Sequence, residues 1–211
     1  MPEHFAVEDG DALIVKLARR FAGVLVSVDV SGQPVASHIP VLWDGERRIA
    51  RGHVARANTQ WKLGAGRGLI VLSGAEAYVS PGFYPSKAEH GKVAPTWNYE
   101  AVHLSGALEW FDDAARLREV VRDLSVLHEA GRAAPWSIED APAAYIDAML
   151  RGIVGVEMRV EKVEAKRKLS QNKSAADFEG VVAGLDGADA SGAEIAALMR
   201  GVRAVSDEPS A

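Results

Sequence analysis

The chain contains no cysteine. Disulfides, thiolate metal sites and a cysteine nucleophile are therefore excluded. No apolar run approaches the ~20 residues that a membrane-spanning helix needs. The start, MPEHFAVEDGD, has no basic stretch followed by an apolar one, so it does not read as a secretory signal. The expectation from these absences is a cytoplasmic protein without a membrane anchor. A surplus of positive charge is missing too: the formal net charge is −5. That argues against a whole-surface electrostatic grip on DNA, although a local basic patch would not show in a sum. Several catalytic signatures are absent. There is no phosphate-loop Gly-Lys-Ser/Thr, no His-Glu-x-x-His and no Gly-x-Ser-x-Gly. Gly64-x-Gly66-x-Gly68 has the wrong spacing for a dinucleotide fingerprint and follows a helix-like stretch rather than a strand. No internal repeat is visible.

What is present is an ordinary globular composition over 211 residues, enough for one large domain or a domain with an appendage. Leu13, Ile14, Leu17, Ala18 and Phe21 recur at helical spacing. Alternation predicts strands over 24–30, 35–43 and 48–53, with Pro40 placing the second at an edge or a bulge because it cannot donate to a ladder. Residues 56–65 read as a short helix, and 69–80 as a buried strand kinked at Gly74. A half-buried strand follows over 102–110. Asp112-Asp113 caps a helix with apolar face Leu117, Val120, Val121, Leu124 and Leu127. Another helix begins at Asp140, and a last long strand covers 153–169, where Val163 out of phase predicts a bulge near Glu161-Lys162. Ser174-x-x-Asp177 and Ser191-x-x-Glu194 look like capping boxes opening two final helices. Strands come first, helices in the middle and at the end. This order predicts an antiparallel β-rich α+β domain rather than a parallel α/β fold.

Three polar stretches sit at strand ends. The first is Gly52 to Trp61, GHVARANTQW, where a strand turns into a helix and an arginine meets free backbone N–H groups. The second is the loop from Tyr78 to Ser105, dense in Pro, Gly, Lys, His and aromatics, with Pro95-Thr96-Trp97-Asn98-Tyr99 re-entering a strand and 82–92 as its mobile rim. The third is the basic, amide-rich run from Lys166 to Lys173. Each also has a plain structural reading: a capped helix with a solvated arginine, a covering loop, a solvated strand end. His38, His53 and His103 lie on strands and could meet at a metal, but satisfied or surface histidines are the commoner case, and no metal site is assigned.

At these stretches the sequence resembles the PaiB family of FMN-binding negative transcriptional regulators. The resemblance is carried by Pro2-x-His4-Phe5, Ala36-Ser37-His38-Ile39-Pro40, GHVARANTQW, Tyr78-Val79-Ser80-Pro81, Pro95 to Tyr99, Val102-His103 and Lys168-Leu169-Ser170-Gln171-Asn172. The chain departs from similar sequences at Gly82-Phe83 and at Glu100, where an apolar residue is usual. The resemblance implies an antiparallel split β-barrel of the FMN-binding type with flanking helices, a homodimer, and FMN at the subunit interface. Residues 1–173 would form the barrel domain with helices inserted near 112–152. Residues 174–205 would be a helical extension packing on the barrel or on the dimer partner, and 206–211 a tail without structure. Arg56, Asn58 and Lys168 are then candidates for the flavin phosphate. Ser37, His38, Thr96 and Asn98 are candidates for the polar edge of the ring, and Trp97 for stacking. His53, Ser170 and Gln171, from the same motifs, complete the cofactor-binding set. DNA as a partner follows from the resemblance alone. A small flavin-dependent oxidoreductase and a haem-binding split-barrel protein are the alternatives. No residue set is assigned a catalytic role; His38, His53 and His90 are the only histidines weighed as an acid or base beside a flavin.

Overall fold

The structure is a computed structural model that describes residues 5–7 and 9–206, with side chains through Arg203. Pro2 and His4 of the first motif and the tail beyond Ser206 lie outside the described residues. In chain order the elements are α1 (Gly10–Arg20), β1 (Gly23–Val28), β2 (Pro34–Ile39), β3 (Leu42–Asp44), β4 (Ile49–Ala55), β5 (Gly66–Val79), α2 (Ser86–His90), β6 (Thr96–Phe111), α3 (Ala114–Glu129), α4 (Ala143–Arg151), β7 (Ile153–Lys168), α5 (Ala175–Asp186) and α6 (Ala190–Ser206). The strands form one sheet in the order β2-β1-β5-β6-β7-β4-β3, with antiparallel pairing. The expected continuous strand 35–43 is two strands, because Pro40 has no N–H to give a ladder and falls in the break between β2 and β3. β2 is the sheet's edge, as the proline requires.

Residues group into two compact units. One unit comprises 9–73 and 102–164. Here α1 buries the predicted face Leu13, Ile14, Leu17 and Ala18, and Asp9 caps it by accepting from the Ala12 N–H at 2.9 Å. The helix 56–65 is a single 3-10 turn, Gln60–Leu63. α3 starts after Asp113, whose side chain accepts from the Arg116 N–H. Its buried positions Leu117, Val120 and Leu124 pack with Phe111, Ile138, Ile146 and Leu150 of the neighbouring elements. The helix expected from Asp140 is a 3-10 turn at Ile138–Asp140 followed by α4, since Pro142 at the cap interrupts the N–H series.

The other unit comprises 5–7, 74–101 and 165–206. The boundary expected at 173–174 is the start of α5, capped by Ser174; α5 and α6 cluster in the same unit as 74–101. Their apolar faces, Phe178, Val181, Val182, Leu185, Ile195 and Met199, share a core with Ala75, Ala77, Val79 and Tyr84. The segment expected to be a mobile rim is instead a 3-10 turn, Pro81–Phe83, and then α2. It docks on α5, where a side chain at Gly180 would stand 2.2 Å from the Phe83 carbonyl oxygen, so only glycine fits. Ser86 seals the contact by donating its N–H at 3.1 Å and its hydroxyl at 2.9 Å to Asp177. The second capping box is corrected as well. Ser191 is inside α6, and Asp189 takes the Gly192 N–H at 2.7 Å instead. Along β7, Glu161 and Lys162 are both exposed, and the buried positions switch from Val156, Met158 and Val160 to Ala165. This is the phase slip that Val163 signalled.

Candidate functional site

The candidate residues fall into two groups, one in each unit. In the unit of 9–73 and 102–164, most of the GHVARANTQW motif is spent on the fold. Arg56 Nε donates to the Arg151 carbonyl at 2.8 Å and Nη2 to the Ile153 carbonyl at 3.1 Å. These carbonyls belong to the end of α4 and the start of β7, so Arg56 ties the motif to that junction. Asn58 Oδ1 accepts from the Gln60 N–H at 2.8 Å, while its amide donates to the Ser37 hydroxyl at 2.7 Å. Ser37 is thus buried and already paired. Gln60, which the sequence reading did not single out, is 1% exposed and donates to the Leu25 and Val35 carbonyls and the Ser27 hydroxyl. It ties the β1–β2 hairpin to the motif. The only sequence clue was its place in a motif whose other members are polar. His38 is exposed on β2. His53 is half-buried, its Nδ1 is buried without a hydrogen-bond partner, and burial holds its imidazole below the usual range.

In the unit of 5–7, 74–101 and 165–206, the structure gathers Thr96, Asn98, Lys168 and Ser170 around a cavity of about 540 Å³. Strand alternation explains the grouping: Thr96 and Asn98 share one face of β6, and Lys168 and Ser170 end the neighbouring β7. Asn98 is fully buried, and its amide and the Ser170 hydroxyl bond each other at 3.0 Å. Ser170 holds a left-handed backbone, φ 62°, unusual for a side-chain-bearing residue. Gln171 enforces it: its Oε1 accepts from the Leu169 N–H and its amide donates to the Arg167 carbonyl, both at 2.7 Å. Gln171 therefore shapes the turn and does not line the cavity. Lys168 Nζ donates to the Thr96 hydroxyl and, at 2.6 Å, to the Trp97 carbonyl. Its ammonium is held below the ordinary range, chiefly by burial; Tyr99 opposes the shift, and Lys166 and Lys173 add to it. Trp97 lies on the other face of β6, half-exposed and edge-on to Tyr78 at 5.8 Å between ring centroids.

Lys92, Asn172 and Lys173 also line this cavity and were not among the candidate residues. Lys173 sat in the basic run that the sequence made visible; Lys92 sat in the proline-flanked loop with nothing to distinguish it. The described lining contains three ammonium groups and no carboxylate. An anion entering it would meet charge-assisted donors without a competing carboxylate. Phe5, Val93 and Pro95 supply apolar wall. A phosphorylated planar cofactor therefore fits this donor set, and the volume lies in the range of cofactor pockets. Among the described residues, no group of three or more potential metal ligands occurs, and no helix is long and apolar enough to cross a membrane.

The fold is an antiparallel split β-barrel with flanking helices. Residues 1–162 match the family described as "Putative FMN-binding domain", and the chain belongs to this FMN-binding family, which its motifs had indicated. The chain is similar to the protease synthase and sporulation protein PAI 2 of Bacillus subtilis, with 27% identity over 86% of each chain. It is 38% identical to an uncharacterized protein of Aspergillus fumigatus over 56% of this chain, and the match spans only 51% of that relative. Among solved structures, the flavocytochrome Anf3 of Azotobacter vinelandii superposes with a TM-score of 0.56 at 14% identity, covering 83% of this chain and 75% of that one.

Proposed function

We propose that this protein carries FMN in the cavity lined by Thr96, Asn98, Lys168, Ser170 and Lys173, and that it works as a homodimeric, flavin-bound transcriptional regulator of the PaiB type. The observation that carries the flavin placement is the cavity's composition: three lysines, two amides and two hydroxyls with no carboxylate. Lys168 and Lys173 take the phosphate, and Asn98 and Thr96 meet polar atoms of the ligand. Arg56, the other phosphate candidate, does not line this cavity, which favours Lys168. The flavin supplies redox chemistry when bound; the chain's residues bind and orient it. The regulatory role rests on the motif resemblance to the PaiB regulators and on the similarity to PAI 2.

FMN titration followed by flavin fluorescence tests the site. Losing a charge-assisted hydrogen bond is worth roughly 1.5–3 kcal/mol, so Lys168→Ala weakens FMN binding by about ten- to hundredfold. Lys173→Ala has a smaller effect in the same direction. Unchanged affinity in both variants would sink the placement. For regulation, a gel-shift at low salt on the protein's own promoter region is decisive, because phosphate contacts are strongest there. No retardation under those conditions, with or without FMN, excludes direct repression at that promoter.

A further inference from the structure

A second cavity, of about 170 Å³, is lined by Arg56, Trp61, Trp110, Phe111, Asp112 and Val154, all in the unit of 9–73 and 102–164. Nothing in the flavin reading uses it. Its size is close to the roughly 150 Å³ that suffices for a benzene ring. Three of its six lining side chains are aromatic, and two of these are held in place. The Trp61 indole N–H donates to the Arg56 carbonyl at 3.0 Å. The Phe111 ring lies over Gly155, where a Cβ would stand 2.3 Å from the ring, and the Arg116 guanidinium stacks on the ring at 4.0 Å. The arginine is equally pre-set. With Nε and Nη2 held by carbonyls, its Nη1 is left facing Asp112 Oδ2 at 3.5 Å. That ion pair is longer than a good hydrogen bond, and the Asp112 side chain is 71% exposed. An exposed pair of this kind contributes little, so an incoming carboxylate can take its place at small cost.

We infer that this cavity binds a monocyclic aromatic carboxylate, its ring between Trp61, Trp110 and Phe111 and its carboxylate on Arg56 in place of Asp112. The cavity combines a planar apolar slot with one pre-organised guanidinium, and each half selects for one half of such a ligand. A neutral ring of the same size would gain the slot and lose the guanidinium. An organic cation is disfavoured because Arg56 is in the wall and Arg116 already covers one aromatic face. For a flavin-bound regulator, such a site would take a small aromatic acid as effector, but the binding claim stands apart from the flavin placement.

The test is a titration of the full chain with benzoate, with and without saturating FMN, followed by tryptophan fluorescence, since two of the lining residues report on the slot. Saturable binding is expected in both forms, with benzyl alcohol at least tenfold weaker. Asp112→Asn removes the competing carboxylate from an exposed position and should tighten benzoate by up to about fivefold, the most that an exposed ion pair is worth. Arg56→Lys should weaken it at least tenfold. Absence of saturable benzoate binding, no loss in Arg56→Lys, or displacement of benzoate by FMN would each overturn the inference. Displacement by FMN would also count against the lysine-lined cavity as the flavin site, whereas the first two results would leave that placement untouched.

Discussion

Glu100 offers the sharpest test of how the cavity-bearing unit is held together. Its side chain is completely buried, an unusual position for a carboxylate. Arg167 Nε donates to its Oε1 at 2.8 Å, and the Arg167 side chain remains 32% exposed. The two partners are therefore unequal. Replacing Arg167 with Ala removes this counterion from a buried carboxylate, a change that costs about 3–5 kcal/mol when the remaining charge is fully enclosed. Water can follow where a one-third-exposed arginine leaves, so the low end applies, about 3 kcal/mol. For a chain of this length that corresponds to a fall in Tm of roughly 6–12 °C. Glu100→Leu removes the buried charge and leaves an arginine free to turn toward solvent, so its cost should be well under half as large. The double variant Glu100→Leu/Arg167→Ala should recover most of the loss. Calorimetric melts of the four proteins decide the matter. If the two single variants lose equally and the double variant is additive, the pair is not a buried charge with its counterion and the reasoning fails. FMN affinity gives a second readout. Glu100 follows Asn98 by two residues along β6, on the same face, so loss of its Arg167 counterion should weaken anion binding in Arg167→Ala and not in the double variant.

Three further outcomes follow. Gly180→Ala would normally stabilise a helix by about 1 kcal/mol, but here the new methyl meets the Phe83 carbonyl. The melting temperature should fall instead, and limited proteolysis should cut within residues 81–95; a rise in Tm would refute the docked segment. His53 is depressed by burial below its ordinary 6.5. The unfolded chain therefore takes up the proton first, and stability falls as pH drops below about 6.5 until the folded-state value is reached. In His53→Gln, urea melts across that window should show a shallower acid limb, and an identical limb would contradict the assignment. Tyr84 keeps its hydroxyl buried without a hydrogen-bond partner, and burial, with Asp177 second, raises its phenol above the usual range. Tyr84→Phe removes a group that forms nothing, so stability should be unchanged or up to about 1 kcal/mol higher; a clear loss in urea midpoint would mean that the hydroxyl has a partner.

Much of the scaffold was legible because its signals are local. The helical face Leu117, Val120, Leu124 and the phase slip at Glu161-Lys162 are periodicities, and periodicity survives without tertiary information. The 81–90 segment was not legible. A 3-10 turn and a five-residue helix are too short to show a period, and their order comes from Phe83 against Gly180 and Ser86 against Asp177, contacts about 90 residues apart in sequence. The site was half legible for a related reason. Residue type marks Arg56 and Lys168 alike as anion binders, but whether a cation meets backbone carbonyls or open space depends on which strands run beside it. Arg56 lies next to two backbone carbonyls that accept its Nε and Nη2 protons. Lys168 has a hydroxyl and one carbonyl, and lines a cavity it shares with two other lysines. Gln60 and Gln171 were hidden because an amide that closes its own turn and one that binds a ligand look the same in one dimension.

The central claim is the place of the flavin. A crystal structure of the protein with FMN bound tests it most directly. The account predicts the phosphate within hydrogen-bond distance of Lys168 and Lys173, with Asn98 and Ser170 at the floor of the same cavity. Flavin density with its phosphate on Arg56, and the lysine-lined cavity holding only solvent, would contradict it.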